Sequence, residues 1–208
     1  MTTLRFPSTL IAGNGEGLAA IHDPDISIAI WERSEDPAFR GLLAPSLRPI
    51  QLTSDVCDLG SALNRAMQAA GYPAGNVRVR LEADIIDLAA RFAAIMRIDR
   101  LDIRFERITG DACRKFHADY VLARLITTYT GRGTQWLDGE SMDDCDCGTS
   151  HNIREMRAGD VAILKGRNWD EARAAVHRSP PIAGTGEERL LLTMNHSTLP
   201  PKVRPEFS

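Results

Sequence analysis

The apolar positions change their period near residue 100. Before it, they recur at helical spacing. Val56, Leu59, Leu63, Met67 and Ala70 form one stripe, which predicts a helix from Ser54 to Ala70. Ser54 would cap it, and Gly71 with Pro73 would stop it. Leu81, Ile85, Leu88, Phe92 and Ile95 follow at spacings of four, three, four and three, which predicts a second helix over Glu82–Arg97. Both stripes read as core faces. A short helix entered through Asp36-Pro37 is expected over Glu35–Leu43, and a short strand over Ser27–Trp31. After residue 100 the pattern alternates. LDIRFERI from Leu101 to Ile108 is apolar on one side and charged on the other, as a half-buried strand should be. Further strands are expected over Leu122–Thr130, Asn152–Met156, Val161–Leu164 and Arg189–Asn195. Many short strands without intervening helices imply a sandwich or barrel. The expected fold is therefore α+β, a jelly roll over 101–197 with a mainly helical extension, 1–100, packed against it. The proline-rich tail, 198–208, reads as loosely ordered.

Composition narrows this little. The 208 residues, 43% hydrophobic and 25% charged, suit a globular chain with a real core. A net charge of -3 gives no electrostatic case for nucleic acid or an anionic membrane. No apolar run approaches the ~18 residues of a membrane span, and the N-terminus does not read as a secretory signal. Four cysteines do not make a disulfide framework, so a reducing cytoplasm is the expected setting.

The chemistry lies in two stretches, FHADYVLARLITTYTGRGTQW from Phe116 to Trp136 and VHRSPP from Val176 to Pro181. His117 and Asp119 are two apart, and on a strand such residues point to one side. With His177 they supply two imidazoles and one carboxylate, the facial ligand set that leaves other metal positions open. These donors suit Fe(II), but also Zn, Mn or Ni. Arg189 opens the last strand on the side of Leu191, Thr193 and Asn195. Its planar fork could receive the distal carboxylate of a dicarboxylic cosubstrate. Arg178 is a rival, although as the neighbour of His177 it is expected on the opposite face. Cys145, Cys147 and His151 form a candidate zinc site in an acidic loop. Cys57 reads as a small core residue, Cys113 as core or loop, and Lys165 as a candidate contact for an anionic substrate.

The order H-x-D, RLITTY, GDVAIL at Gly159–Leu164, VHRSP and RLLLT resembles the double-stranded β-helix of Fe(II)/2-oxoglutarate dioxygenases, especially the prolyl-hydroxylase-like branch. FHADYVLARLITTYTGRGTQWL and GDVAILKG with VHRSPP resemble more closely a bacterial family designated DUF1826, whose label carries no established activity. The oxygenase resemblance implies that His117, Asp119 and His177 hold catalytic iron. It further implies that Arg189 binds a carboxylate of 2-oxoglutarate and that Tyr129, on the strand between, assists. The expected function is an Fe(II)- and 2-oxoglutarate-dependent dioxygenase acting on a small molecule or protein. The alternative is a cupin-like metal-binding protein using Zn, connected with zinc homeostasis, without oxygenase activity.

Overall fold

The computed structural model describes residues 8–44, 46–111, 113–138 and 152–197. The tail 198–208 and the Cys145, Cys147 and His151 candidate site lie outside them. The strands are β1 (Ser8–Ala12), β2 (Ile26–Trp31), β3 (Ile50–Asp55), β4 (Arg100–Ile108), β5 (Ala123–Thr130), β6 (Gln135–Leu137), β7 (Ile153–Glu155), β8 (Val161–Lys165), β9 (His177–Arg178) and β10 (Arg189–His196). Two helices, α1 (Leu59–Ala70) and α2 (Asn76–Met96), lie between β3 and β4.

One sheet has seven strands in the order β1-β2-β8-β5-β10-β4-β3, and a second has the order β7-β6-β9. An isolated bridge between His117 and His177 continues the second sheet beyond β9. From β4 onward the chain passes to the His117 bridge in the small sheet, then to β5 in the large one. It crosses to β6 and β7, returns to β8, crosses to β9 and ends in β10. Consecutive segments thus alternate between facing sheets, with the first and last strands, β4 and β10, paired side by side. That winding is the double-stranded β-helix, a jelly roll.

The large sheet has an apolar layer on each face. Leu101, Ile103 and Phe105 of β4, with Leu190, Leu192 and Met194 of β10, meet Leu63, Met67, Leu81, Ile85 and Phe92 of the helices. On the other face Ile126, Ala162, Leu164 and Leu191 meet Trp136 and Met156 of the small-sheet side. The period-two alternation of β4, β5, β8 and β10 therefore separates a helix-side core from an inter-sheet space. Gly71 ends α1 at φ 90°, a left-handed C-terminal turn.

The helices begin elsewhere than the spacing predicts. Residues 50–55 pair with β4, from Ile50 opposite Phe105 to Asp55 opposite Arg100. Ser54 is thus in an edge strand, and its hydroxyl donates to the Asp55 carbonyl instead of capping a helix. A 3₁₀ turn over Val56–Asp58 precedes α1, and Cys57 on it is exposed rather than core. Helix α2 starts at Asn76, and Arg78, a charged side chain at an inner position of its first turn, is satisfied there. It donates to Glu82 (2.6 Å) and to the Tyr72 and Asn64 carbonyls. The expected Glu35–Leu43 helix is a 3₁₀ segment, Pro37–Leu42.

The boundary expected near residue 100 does not separate two units. Strands β1, β2 and β3 all precede it, and they form both ends of the large sheet. The edge strands β1 and β3 are short and give little periodicity, so their pairing with β2 and β4 is invisible in the pattern. Among the described residues, no helix is long and apolar enough to cross a membrane.

Candidate metal centre

His117 and His177 are bound to each other through the backbone. The His117 amide donates to the His177 carbonyl (3.0 Å), and the His177 amide returns a bond of 2.9 Å. This bridge brings the two imidazoles to 4.7 Å between ring centres, inclined at 45°. Asp119 follows in a loop strapped to the end of β8. Its carbonyl accepts from the Arg167 amide (2.8 Å), and the Leu122 carbonyl accepts from the Gly166 amide (2.8 Å). A Cβ at Gly166 would lie 1.9 Å from the Val121 carbonyl oxygen, so only glycine permits this approach. We expect Gly166→Ala to cost about 1–3 kcal/mol by overpacking and to displace Asp119. Denaturation and metal titration of the variant check this, and wild-type values in both would contradict the strapping role.

The three side chains offer ligand atoms that all lie within 4.8 Å of one another. His117 Nε2 is 3.5 Å from Asp119 Oδ1, and His177 Nε2 is 3.3 Å from Oδ2. Adjacent ligands bound at ~2.1 Å are ~3 Å apart, so little movement closes the set. Both Nδ1 atoms are 3.0 Å from backbone carbonyls, of Lys115 and Ala175. Those carbonyls accept Nδ1–H and turn both Nε2 lone pairs inward, the usual support for a metal-binding imidazole. Asp119 Oδ2 is buried with no hydrogen-bond donor. Arg124 Nη1 stands 2.8 Å from it, but off the N–H direction, so the contact is ionic. A buried anionic oxygen without a donor beside two inward lone pairs fits a cation.

Burial by itself would raise the Asp119 pKa. The adjacent imidazoles of His117 and His177 and the charge of Arg124 outweigh it and hold the carboxyl well below the usual carboxylate range. His117 is shifted up, chiefly because its protonated imidazole would donate to Asp119, against the effect of burial. The His177 side chain is 5% exposed and that of His117 34%, so the centre opens on the His117 side. There it meets a cavity of about 630 Å³ between the sheets, whose walls include Arg124, Thr134, Leu191 and Asn195.

Arg124 and Asn195 carry no motif and were not singled out by the sequence. They face each other across β5 and β10, and Asn195 Oδ1 accepts from Arg124 Nε (2.9 Å), steadying the guanidinium against Asp119. The available signal was period two. Arg124 shares its strand face with Ile126, the face that lines the cavity.

Arg189 lies on the cavity side of β10, as its alternation with Leu191, Thr193 and Asn195 implies, but it is fully buried. Its Nε donates to the Arg132 carbonyl (2.6 Å), and Nη2 lies within bonding distance of the Thr128 and Thr134 hydroxyls. Its Nη1 is buried without a partner. Burial lowers its pKa to about 10, so it stays cationic at neutral pH.

Tyr129 is not brought to the centre. It lies in the helix-side core against Phe39 and Phe105, and its hydroxyl donates to Asp84 (2.7 Å). The alternation of β5 puts it there with Leu125, on the face opposite Arg124, Ile126 and Thr128. We expect Tyr129→Phe to destabilise the fold by about 1.5–3 kcal/mol, the worth of a hydrogen bond to a charged group. It should leave ligand affinity at the metal unchanged. Chemical denaturation with a parallel cosubstrate titration checks both parts. Arg178 borders the cavity, but its side chain lies on the face of Gln135 and Phe116, opposite that of His177 and Trp136, as its place next to His177 implies. Cys113 also lines the cavity, exposed and at φ 58°. Lys165 does not. Its ammonium is buried, donates to the Asp23 carbonyl (2.6 Å) and sits over Trp169.

Several solved structures are similar to this chain at low identity. A prolyl-4-hydroxylase from Pseudomonas putida is 13% identical with a TM-score of 0.45, covering 88% of this chain and 98% of that one. HygX from Streptomyces hygroscopicus, determined with nickel and 2-oxoglutarate bound, is 14% identical with a TM-score of 0.47, covering 88% and 87%. A full-length Neurospora crassa protein, in complex with alpha-KG, is 12% identical with a TM-score of 0.42, covering 94% and 86%. The fold assignment rests on strand order and not on these similarities. No curated protein matches. The family described as "Protein of unknown function (DUF1826)" matches residues 13–195, nearly the whole double-stranded β-helix with its helical face, and the chain belongs to that family.

Proposed function

We propose that this protein is an Fe(II)- and 2-oxoglutarate-dependent dioxygenase of hydroxylase type. The observation that carries the proposal is the convergence of His117, Asp119 and His177 at one end of an inter-sheet cavity. Two imidazoles and one carboxylate bind one face of an ion and leave the rest for ligands, the arrangement of non-haem iron oxygenases. When bound, Fe(II) with 2-oxoglutarate supplies oxidative decarboxylation of the cosubstrate to succinate coupled to hydroxylation of a substrate C–H bond.

The chain's own residues do the rest. The Lys115 and Ala175 carbonyls fix the imidazole tautomers. Arg124 holds the Asp119 carboxylate ionised and fixed at the cavity wall. Arg189 is our choice for the cosubstrate's distal carboxylate, because its Nη1 is a buried donor still lacking an acceptor. The apolar wall of Ile126 and Leu191 would keep water from that pairing and strengthen it. We infer a reducing cytoplasm as the setting, which suits Fe(II) and the free thiols of Cys57 and Cys113.

One observation favours the second reading, a zinc-binding cupin-like protein. Arg189 is fully buried, with Nε and Nη2 already engaged, so a bidentate grip needs rearrangement. Anaerobic loading with Fe(II) followed by calorimetric titration of 2-oxoglutarate separates the two. The oxygenase reading requires one 2-oxoglutarate per loaded chain, and metal binding without cosubstrate binding selects the alternative.

A further inference from the structure

A row of polar side chains crosses the large sheet on its cavity face. Thr53 of β3 stands opposite Asp102 of β4, Asp102 opposite Asn195 of β10, and Asn195 opposite Arg124 of β5. The residues that alternate with them, Ile103, Met194 and Leu125, belong to the helix-side core. Period two therefore sets the row on the other face, and Asp102, Asn195 and Arg124 all line the cavity. The row ends at the metal centre, where Arg124 meets Asp119 at 2.8 Å. Asp102 stands two strands from Arg124, which is ~10 Å along the cavity wall at the usual strand spacing.

The arginines around Asp102 are neutralised in place. Arg100 and Arg104 flank it on its own strand face, yet each is committed to another carboxylate. Arg100 Nη1 donates to Asp55 at 2.5 Å, and Arg104 Nε lies 2.8 Å from Glu106. Asn195 is occupied as well, its side-chain oxygen accepting from Arg124 Nε at 2.9 Å. Asp102 differs. Among the described residues its side-chain partner is neutral, the Thr53 hydroxyl, which donates to Oδ1 at 2.5 Å. That bond holds the carboxylate in place and leaves Oδ2 to accept from a ligand.

We propose that Asp102 anchors a cationic group of the substrate, an ammonium or guanidinium, with the reacting carbon directed at the metal centre. The inference rests on the proposed metal centre being where substrate reacts, and it names the substrate class that the proposed function leaves open. Asp102 is half-buried, so its charge is screened less than that of an exposed carboxylate. Ile126 and Leu191 stand in the same wall and would take the apolar chain between the cation and the reacting carbon. Arg189 opens β10, whereas Asp102 pairs with Asn195 near its end. The anionic cosubstrate and the cationic substrate therefore do not compete for one anchor.

The test titrates butylammonium and butylguanidinium separately into the metal-free full chain, with butyrate as the anion of equal chain length. It follows the assigned side-chain carboxyl carbon NMR signal of Asp102. A saturable shift with at least one cation is expected and none with butyrate, and the tighter cation names the group. In calorimetry Asp102→Asn, which keeps an acceptor for Thr53, should weaken that binding about tenfold or more, as loss of a charge-assisted pair implies. Its affinity for Fe(II) should stay near wild type. Thr53→Val, which keeps the charge but frees the carboxylate, should give a smaller loss and serves if Asp102→Asn fails to fold. No saturable shift with either cation overturns the proposal. So does butyrate binding as tightly as the cations, or cation affinity unchanged in Asp102→Asn. If the wild type takes no metal, the proposed function fails, while the cation arms still report on Asp102.

Discussion

Asp119→Ala is expected to abolish stoichiometric metal binding. Loss of a supporting partner alone costs metal sites ten- to a hundred-fold in affinity, so loss of the carboxylate ligand itself should exceed about a hundred-fold. The variant also leaves Arg124 facing two imidazoles without the carboxylate that now offsets its charge. Arg124→Leu should lower metal affinity much less, because it removes the positioning charge and keeps all three donors. Anaerobic metal titration with elemental analysis compares the three proteins, and a thermal melt of each separates lost ligation from lost fold. An alanine variant that still takes one equivalent at wild-type affinity would remove Asp119 from the centre.

Arg189→Ala should leave metal content nearly unchanged and weaken 2-oxoglutarate strongly. Truncating one partner of a buried charged pair costs on the order of 2–5 kcal/mol, or roughly thirty-fold to several-thousand-fold in affinity. The same truncation frees the Arg132 carbonyl and the Thr128 and Thr134 hydroxyls, so the variant should also be less stable. Arg189→Lys separates the two effects, since it keeps the charge and much of the volume but loses the fork. Cosubstrate affinity unchanged in both variants, with the fold intact, would leave Arg189 a structural residue.

The parts legible in the sequence were those where one period governs a whole element. The alternation of LDIRFERI gave β4 to within a residue, and Arg189 to Asn195 gave β10 and the cavity side of Arg189. The His117, Asp119 and His177 set was legible because its donor chemistry is rare in combination, although the chain makes it differently. His117 is held by a single bridge and Asp119 by a loop, not by one continuous strand. What escaped depends on tertiary context. Strands β1 and β3 gain order from neighbours distant in sequence. Tyr129, by contrast, was misplaced by the resemblance, since its alternation with Leu125 already sets it on the helix side. Arg78 sits at an inner helix position because three acceptors surround it, which no spacing rule anticipates. Arg124 matters through Asp119 and Asn195 beside it, and only the fold brings those neighbours in.

The central claim is one metal ion held by three side chains, with room for one cosubstrate on it. Its most direct test is a two-step anaerobic titration of the wild-type chain, first with Fe(II), then with 2-oxoglutarate, run beside a metal-free control. The account predicts one Fe(II) per chain, then one 2-oxoglutarate that binds far more weakly when the metal is absent. Failure to load metal, or equal 2-oxoglutarate affinity with and without it, would contradict the account.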